Sequence, residues 1–404
     1  MSHKGSKDVS FSLTAYFLKV VGFWLATNRA EEWIRPATII YTIVTLIVSI
    51  WIQMRSFYFS WGNFGACAYI MCISLGLFMD LFKVFTLLAH KKKFLNLIAY
   101  MQKNFWHLNF DDYENLFIAD AKRMCIYFVC VFSFFSLFTT FSYMIRPLIS
   151  NIGKNESERT LIYNMWLDLP LTKSPYFEIT YVLQALVLYQ AGVCYLCFDN
   201  IFCIMCLHVA GQFRVLQYRM ANMKSVKMKH DGDSIIDSME CYKTLKNYIQ
   251  QHQNLTEFCA TFEVTFKALV LGQVVTFSTL ICFLGYLVLL VDLSPELRLS
   301  FICYLITTMC QLWIFTYSCD CVTQESMNVS SAAYAGPWTH SSMDTFGKMV
   351  RNDLQLVILR SRRACNLTAC GFFPVSLETY TKIMSTAMSY FTLLKQRTID
   401  ATDA

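Results

Sequence analysis

Charged residues are scarce in this sequence. Asp, Glu, Lys and Arg make up only 15% of its 404 residues, whereas 55% are hydrophobic, and the mean hydropathy is +0.40. A soluble domain of this length carries more charge to keep its surface in water, so the composition excludes that class and predicts a polytopic membrane protein. Glycine and proline are also few, at 14 and 7 residues, which leaves little room for flexible linkers. We therefore expect one compact membrane domain.

The signals of secretion, of a disulfide framework and of catalysis are missing as well. The N-terminal sequence MSHKGSKDVS lacks the short apolar run and small-residue cleavage site of a secretory signal, so the first membrane helix is expected to direct insertion. The 17 cysteines lie mostly in apolar stretches, where a thiol behaves as a small hydrophobe. No nucleophile, base and orienting acid occur together. We expect a protein that is not an enzyme and that binds no metal, cofactor or nucleic acid.

Apolar runs of roughly 18 residues or more predict seven transmembrane helices. The runs are Ala37–Met54, Phe64–Ala89, Met124–Ser150, Ile179–Leu207, Phe262–Val291, Leu299–Tyr317 and Cys370–Leu394. Asp80 and Lys83 in the second run, and Asp199 in the fourth, are expected to face protein or water because a charge in lipid is costly. The sequence shows no internal repeat, which argues against a transporter built from duplicated halves.

The positions of lysine and arginine predict the orientation of these helices. Basic loops at His90–Lys93, Arg214–Lys246 and Lys348–Arg363 alternate with short or balanced loops. Basic loops stay in the cytosol, so seven spans place the N-terminus inside and the C-terminus outside. This orientation is the reverse of that of a G-protein-coupled receptor. It also places the sequon at Asn155 outside, where we expect a glycan.

The last run carries a stripe of polar residues. Within FFPVSLETYTKIMSTAMSYFTLLKQ, the stripe recurs at spacings of three and four and comprises Glu378, Lys382, Ser385, Ser389, Thr392 and Gln396. Such spacings place all six on one helix face. Polar groups at membrane depth need water or polar partners, so the stripe predicts the lining of an aqueous pore. One helix cannot enclose a channel, and several subunits would have to bring it to a shared axis. The alternative is that the hydroxyl groups hold helices together.

This ending carries a resemblance to a known family. With its Ser389-Tyr390 pair, with Tyr334 and Trp338 in AYAGPW, and with SPYFEITYVLQ at the approach to the fourth helix, the chain resembles an insect odorant receptor. A predicted amphipathic cytosolic helix over Asp344–Ile358, before the last run, fits the same family. The resemblance implies a ligand-gated, non-selective cation channel that an odorant-specific subunit forms with a common co-receptor as a heterotetramer. It also implies that the protein is located in the plasma membrane of an olfactory sensory neuron dendrite.

The same resemblance implies a division of the chain and a gate. Residues 1–36 would be a cytosolic segment, 37–320 the helices that hold the ligand pocket, 321–369 a cytosolic anchor, and 370–404 the pore helix with a short outer tail. The loop over Gln212–Gln251 lacks the long insertion expected of the co-receptor, so the chain resembles the odorant-specific subunit. Leu393 matches the narrow hydrophobic gate of the family, with Gln396 just outside it.

The family's odorant pocket lies within one subunit, in the outer half of the second, third, fourth and sixth spans. The corresponding positions here are Met71, Ser74, Leu75, Phe78, Phe134, Phe138, Phe141, Ile145, Tyr181, Gln184, Leu188, Tyr304, Thr307 and Thr308. An apolar wall with a few hydroxyls and one amide suits a small volatile ligand. Phenylalanine or methionine at helical spacing is also typical of plain packing.

Two other receptor classes stay open at this point. An insect gustatory receptor has the same fold with a different class of ligand and without the odorant co-receptor. A G-protein-coupled receptor would need the opposite orientation and an Asn-Pro-x-x-Tyr motif in its last helix, which this chain lacks. The Ser389-Tyr390 ending favours the odorant family. A transporter or a lipid-modifying enzyme is the most distant alternative.

Overall fold

The protein is an assembly of helices. The computed structural model describes residues 9–24, 29–105, 110–163, 165, 170–223, 234–336, 338 and 344–402, and these contain ten α-helices. The helices are α1 (Val9–Val21), α2 (Arg29–Phe59), α3 (Phe64–Ala89), α4 (Lys91–Asn104), α5 (Asp112–Ser150), α6 (Tyr176–Ala221), α7 (Ser234–Leu290), α8 (Pro295–Ala335), α9 (Thr345–Ser361) and α10 (Leu377–Thr402). A 3-10 turn at Glu156–Glu158 lies between α5 and α6.

Six of these helices are long and apolar enough to cross a membrane: α2, α3, α5, α6, α7 and α8. The first six predicted runs fall on them, and α3 has the predicted bounds. The other helices extend beyond their apolar runs. At 57 residues, α7 is about 85 Å long, whereas the hydrocarbon core of a bilayer is about 30 Å thick. Its polar N-terminal half therefore projects out of the membrane, and much of the loop predicted over Arg214–Lys246 is in fact helix.

The start of the seventh predicted span is wrong. Residues 370–376 are not helical, because the chain reverses direction at Cys370 and Gly371, whose φ angles are 51° and 83°. An isolated bridge between Thr368 and Pro374 closes this turn. The last helix, α10, begins only at Leu377. It is not among the six apolar helices because the polar residues of its stripe lower its hydropathy.

Helix α6 lies at the centre of the bundle. Of its most apolar stretch, 94% is buried, and it packs against α1, α2, α3, α5, α7 and α8. A helix that is apolar on all faces has to be buried in this way. Glycine allows close packing at one point, since a Cβ on Gly192 would lie 2.8 Å from Thr140 Oγ1. The sequence of α6 thus places it in contact with almost every other span.

Charged residues join the helix ends on the side of α4 and α9. Arg214 of α6 lies 2.7 Å from Glu325 of α8, and Arg219 lies 2.6 Å from Glu114 of α5. The hydrogen bond from Arg219 lowers the pKa of Glu114 below its ordinary value. These arginines, predicted to lie in a basic loop, are helical and paired.

Two of the short helices outside the apolar spans, α1 and α9, pack closely on the bundle. Helix α9 covers the predicted amphipathic segment; Asp344 caps its N-terminus, and Val350, Leu354 and Val357 are buried against α7 and α8. Helix α1 packs against α2, α5 and α6. Two of the predicted boundaries, after residues 36 and 320, fall inside continuous helices, α2 and α8.

One buried histidine makes this side of the fold sensitive to acid. His252 of α7 lies with Nε2 3.3 Å from Ser361 Oγ of α9. Burial and, secondarily, the charge of Arg360 lower the pKa of His252 from 6.5 to about 4. Between these values the unfolded chain binds a proton that the folded protein does not, so stability falls as the pH drops through this window. At pH 5 we expect the loss to be about 2 kcal/mol.

This expectation is tested by thermal unfolding of the detergent-solubilised protein at pH 7 and at pH 5. We expect His252→Gln to reduce the difference between the two midpoints, and the matched variant His90→Gln to leave it unchanged. Equal pH dependence in all three proteins would show that His252 does not report this proton uptake.

Candidate ligand cavity and pore-facing helix

A cavity of about 130 Å³ lies inside the helix bundle. Helices α2, α3, α5, α6 and α8 form its walls, and the segment between α5 and α6 contributes two residues. The lining residues are Ser49, Gln53, Ile73, Gly76, Leu77, Asp80, Ser136, Thr139, Thr140, Tyr143, Ile162, Tyr163, Val187, Leu188, Ala191, Gly192, Tyr195, Tyr304 and Thr307. The wall surface is mostly apolar, although nine of the 19 lining residues carry a hydroxyl group. A mostly apolar wall with polar groups at fixed positions is typical of a site for a small molecule.

Hydrogen bonds hold the segment between α5 and α6 against the cavity. Gln184 Nε2 donates to the carbonyl of Tyr163 at 3.0 Å, and Arg146 Nη2 donates to the carbonyl of Ile162 at 2.9 Å. The hydroxyl of Tyr181 donates to the carbonyl of Met144 at 2.7 Å. Gln184 and Tyr181, both predicted to contact ligand, therefore direct their polar groups to the backbone, and neither lines the cavity. Gln184 instead fixes the position of Tyr163 in its wall.

Three of the predicted pocket residues line the cavity: Leu188, Tyr304 and Thr307. The hydroxyl groups of Thr307 and Thr139 lie 2.9 Å apart, so they join α8 to α5 across the wall. Ser74 and Thr308 are buried, but their hydroxyls donate to the carbonyls one turn earlier in their own helices. Met71 and Leu75 are half-buried in α3 and also lie outside the lining.

The aromatic stripe of α5 faces away from the cavity. Phe134, Phe138, Phe141 and Ile145 are exposed, by 63%, 52%, 50% and 47%, and Phe78 of α3 is exposed by 44%. The cavity wall is the opposite face of α5, which carries Ser136, Thr139, Thr140 and Tyr143. Lipid is as apolar as a protein core, so in a membrane helix the phenylalanines can face outward while the small polar residues face inward. Ligand contact by the stripe stays a prediction.

A buried charge cluster adjoins the cavity. Lys83 Nζ of α3 lies 2.9 Å from Asp199 Oδ1 of α6 and 4.8 Å from the ring centroid of Tyr195. Gln273 Nε2 donates to Asp199 Oδ2 at 3.1 Å, and Gln311 Nε2 donates to the same oxygen. Asp80, Lys83 and Asp199 are at most 6% exposed, so all three charges are buried in protein as predicted. The sequence offered no signal that α7 and α8 would supply the two amides.

The polar stripe of α10 is turned away from the bundle. All six residues, Glu378, Lys382, Ser385, Ser389, Thr392 and Gln396, are exposed, and so is Leu393, by 56%. Ile383 and Ala387, on the opposite face, are only 8% and 5% exposed, and the helix packs on α7 and α8. Glu378 and Lys382 form an ion pair at 2.6 Å along the stripe. One chain thus presents the stripe as a free surface.

Asn155 is exposed at the N-terminus of the 3-10 turn. All 17 cysteines are free thiols. Within the ranges that the structure describes, no three His, Cys, Asp or Glu side chains are grouped so that they could hold a metal ion.

Fold and cavity together define a class: an all-α membrane protein with an internal, mostly apolar cavity and an exposed polar face on its last helix. Comparison with known families identifies the family within this class: the model of the 7tm Odorant receptor family matches residues 63–388. The chain belongs to this insect odorant receptor family, which is a family of receptors and not of enzymes. Neither a G-protein-coupled receptor nor a gustatory receptor is the matching class.

Similar proteins agree over nearly the whole chain. Odorant receptor 13a of Drosophila melanogaster is 23% identical over 411 residues, which cover 96% of each chain. Odorant receptor 10 of Aedes albopictus is 21% identical and covers 83% of this chain and 86% of its own. The solved structure of the olfactory receptor OR5 from Machilis hrabei superimposes with a TM-score of 0.81, at 14% identity, over 95% of this chain and 97% of that one. The shared fold has seven transmembrane helices, of which α10 is the last.

Proposed function

We propose that this chain is the odorant-binding subunit of a heteromeric, ligand-gated, non-selective cation channel. It would form this channel with odorant co-receptor subunits, as a heterotetramer in the plasma membrane of olfactory sensory neuron dendrites. Its ligand is a small volatile molecule that binds in the cavity. The observation that carries the proposal is the cavity itself, largely apolar and lined by five helices, in a chain of the odorant receptor family. A second structure of OR5 from Machilis hrabei, with a TM-score of 0.81, contains eugenol, also a small volatile molecule.

The exposed stripe of α10 supports the channel part of the proposal. Six polar residues are exposed in the single chain although the helix packs on α7 and α8. Polar groups in this position require water or polar partners within a membrane. Copies of α10 from four subunits around one axis would give them a shared aqueous path, with Leu393 as an apolar constriction. The exposed Asn155 would carry the glycan on the outer side.

Filling the cavity is the direct test of the ligand site. Leu188→Trp adds a large ring to the cavity wall, and we expect it to raise the half-effective concentration of every ligand at least about tenfold, because the site cannot expand at low cost. The measurement is the current in cells that express the chain with and without an odorant co-receptor, across a panel of volatiles.

A matched control lies two residues away. Leu186 is 52% exposed on the outer side of α6, so Leu186→Trp makes the same change outside the cavity, and we expect no shift in ligand sensitivity. Surface biotinylation of both variants serves to check that they reach the membrane. If both variants shift ligand sensitivity alike, or neither does, the cavity is not the ligand site.

A further inference from the structure

One carboxyl group in the cavity wall has an unpaired oxygen. Asp80 of α3 lines the cavity and is only 2% exposed, and its Oδ1 has no hydrogen-bond partner. Lys83, one turn further along α3, forms its ion pair with Asp199 instead. Both neighbouring amides, of Gln273 and Gln311, also donate to Asp199. The cluster therefore has two carboxyl groups and one cation, and the cation and amides all converge on the carboxyl that does not line the cavity.

An unpaired buried carboxyl group is costly to the fold. A buried polar group without a hydrogen bond destabilises a protein, and an unpaired charge does so more strongly. Leucine at this position would avoid that cost. The hydroxyl of Tyr143, on the α5 wall of the same cavity, also lacks a hydrogen-bond partner. The hydroxyl of Tyr195, on the α6 wall, is unpaired as well, so three residues that line this largely apolar space carry an unpaired polar group.

We propose that the cavity is specific for small volatile molecules that carry a hydroxyl group, and that this hydroxyl donates a hydrogen bond to Asp80. This inference rests on the proposed function, because it names the class of ligand that the cavity binds. A hydroxyl hydrogen satisfies the carboxyl oxygen, while the rest of the molecule occupies the apolar walls. Tyr143 offers a second polar contact, which a hydroxyl oxygen can accept. An ether or a hydrocarbon of the same shape leaves Asp80 without a partner, and a site with unpaired polar groups discriminates strongly against such analogues.

The test compares alcohols and phenols with their methyl ethers, for example para-cresol and its methyl ether. The readout is the ratio of the half-effective concentrations within each pair, in cells expressing the chain with a co-receptor. For the unmodified chain we expect hydroxyl compounds to be favoured. Asp80→Leu removes the acceptor, and we expect the sensitivity to the hydroxyl compound to fall about 10- to 100-fold relative to the ether. Asp80→Asn keeps an acceptor oxygen in nearly the same shape, and we expect a smaller loss of preference.

Substitution of Asp80 leaves no other group unpaired, because the ion pair between Lys83 and Asp199 is retained. Both Asp80 variants are therefore expected to reach the cell surface. Asp292→Leu makes the same change at an exposed position after α7 and serves as the matched control, with an unchanged ratio. Equal shifts for both members of each pair in Asp80→Leu would overturn the inference, and so would an unmodified chain that responds to no hydroxyl compound. Leu188→Trp separates the two proposals. If it abolishes responses while Asp80→Leu leaves the ratio unchanged, only the ligand class is wrong; if it has no effect, the cavity assignment fails.

Discussion

Replacement of Lys83 by methionine is expected to remove nearly all folded receptor from the cell surface. Lys83 is the cation nearest to Asp80 and Asp199, and it is 2% exposed. Without it, Asp199 is left as a buried carboxylate without a cation. Removing one partner of a buried ion pair typically costs about 3–5 kcal/mol, a large part of the roughly 5–15 kcal/mol that stabilises a folded domain.

A second substitution, at Asp199, is expected to reverse this loss. This reversal ties the prediction to the charge of Lys83. In Lys83→Met with Asp199→Asn, position 199 is neutral, and its amide oxygen still accepts from Gln273 and Gln311. We expect this double variant to recover most of the surface protein, measured by biotinylation and by size-exclusion profiles of fluorescent fusions. Lys19→Met makes the same change in an exposed pair with Glu31 and is expected to have little effect. A double variant no better than Lys83→Met alone would show that Lys83 acts through packing and not through its charge.

The second large effect is expected at the outer end of α10. Replacing Leu393, which is 56% exposed in the single chain, with serine would remove the apolar constriction proposed for the shared pore. A narrow hydrophobic passage closes by excluding water, and a hydroxyl at that point stabilises water there. We expect Leu393→Ser to raise the current without ligand several-fold, recorded in cells that also express the co-receptor.

Cysteine substitution along α10 tests the face directly. Water-soluble thiol reagents are expected to modify cysteines at Ser389, Thr392 and Gln396 and to block current mainly in the open state. Cysteines at Ile383 and Ala387, which are buried against α7 and α8, serve as matched controls and are expected not to react. Reaction at the buried positions together with protection of the stripe would show that the pore lies elsewhere and that the hydroxyl row holds helices together.

Sequence patterns predicted correctly those features that lie within a single helix and are the same whether water or lipid surrounds it. The bounds of α3 follow from an apolar run, in which Asp80 and Lys83 are the charged residues, between Asn63, which caps the helix, and the basic residues after Ala89. The polar stripe of α10 follows from spacings of three and four, which place polar residues on one face whatever surrounds the helix. Cys370–Ser376 misled the prediction because apolar content alone does not distinguish a helix from a tight turn at Gly371.

Periodicity could not predict which residues line the cavity. Phe134 and Phe138 point outward although they are large apolar residues, because on this part of α5 the small polar face packs inward. Residues from α2, such as Gln53, join the wall only because α2 leans on α6, which no local pattern encodes.

By itself, the sequence determined that this chain is a helical membrane protein of the odorant receptor family and which face of its last helix is polar. These properties follow from composition, run length and local spacing, which act within a single helix. Only the tertiary structure decided which side chains share a space: that Gln184 supports the cavity wall, that Lys83 pairs with Asp199, and that Asp80 is left over beside the cavity. Those outcomes depend on how α3, α5, α6 and α8 rotate against one another, and that rotation is set by close packing between residues about a hundred positions apart.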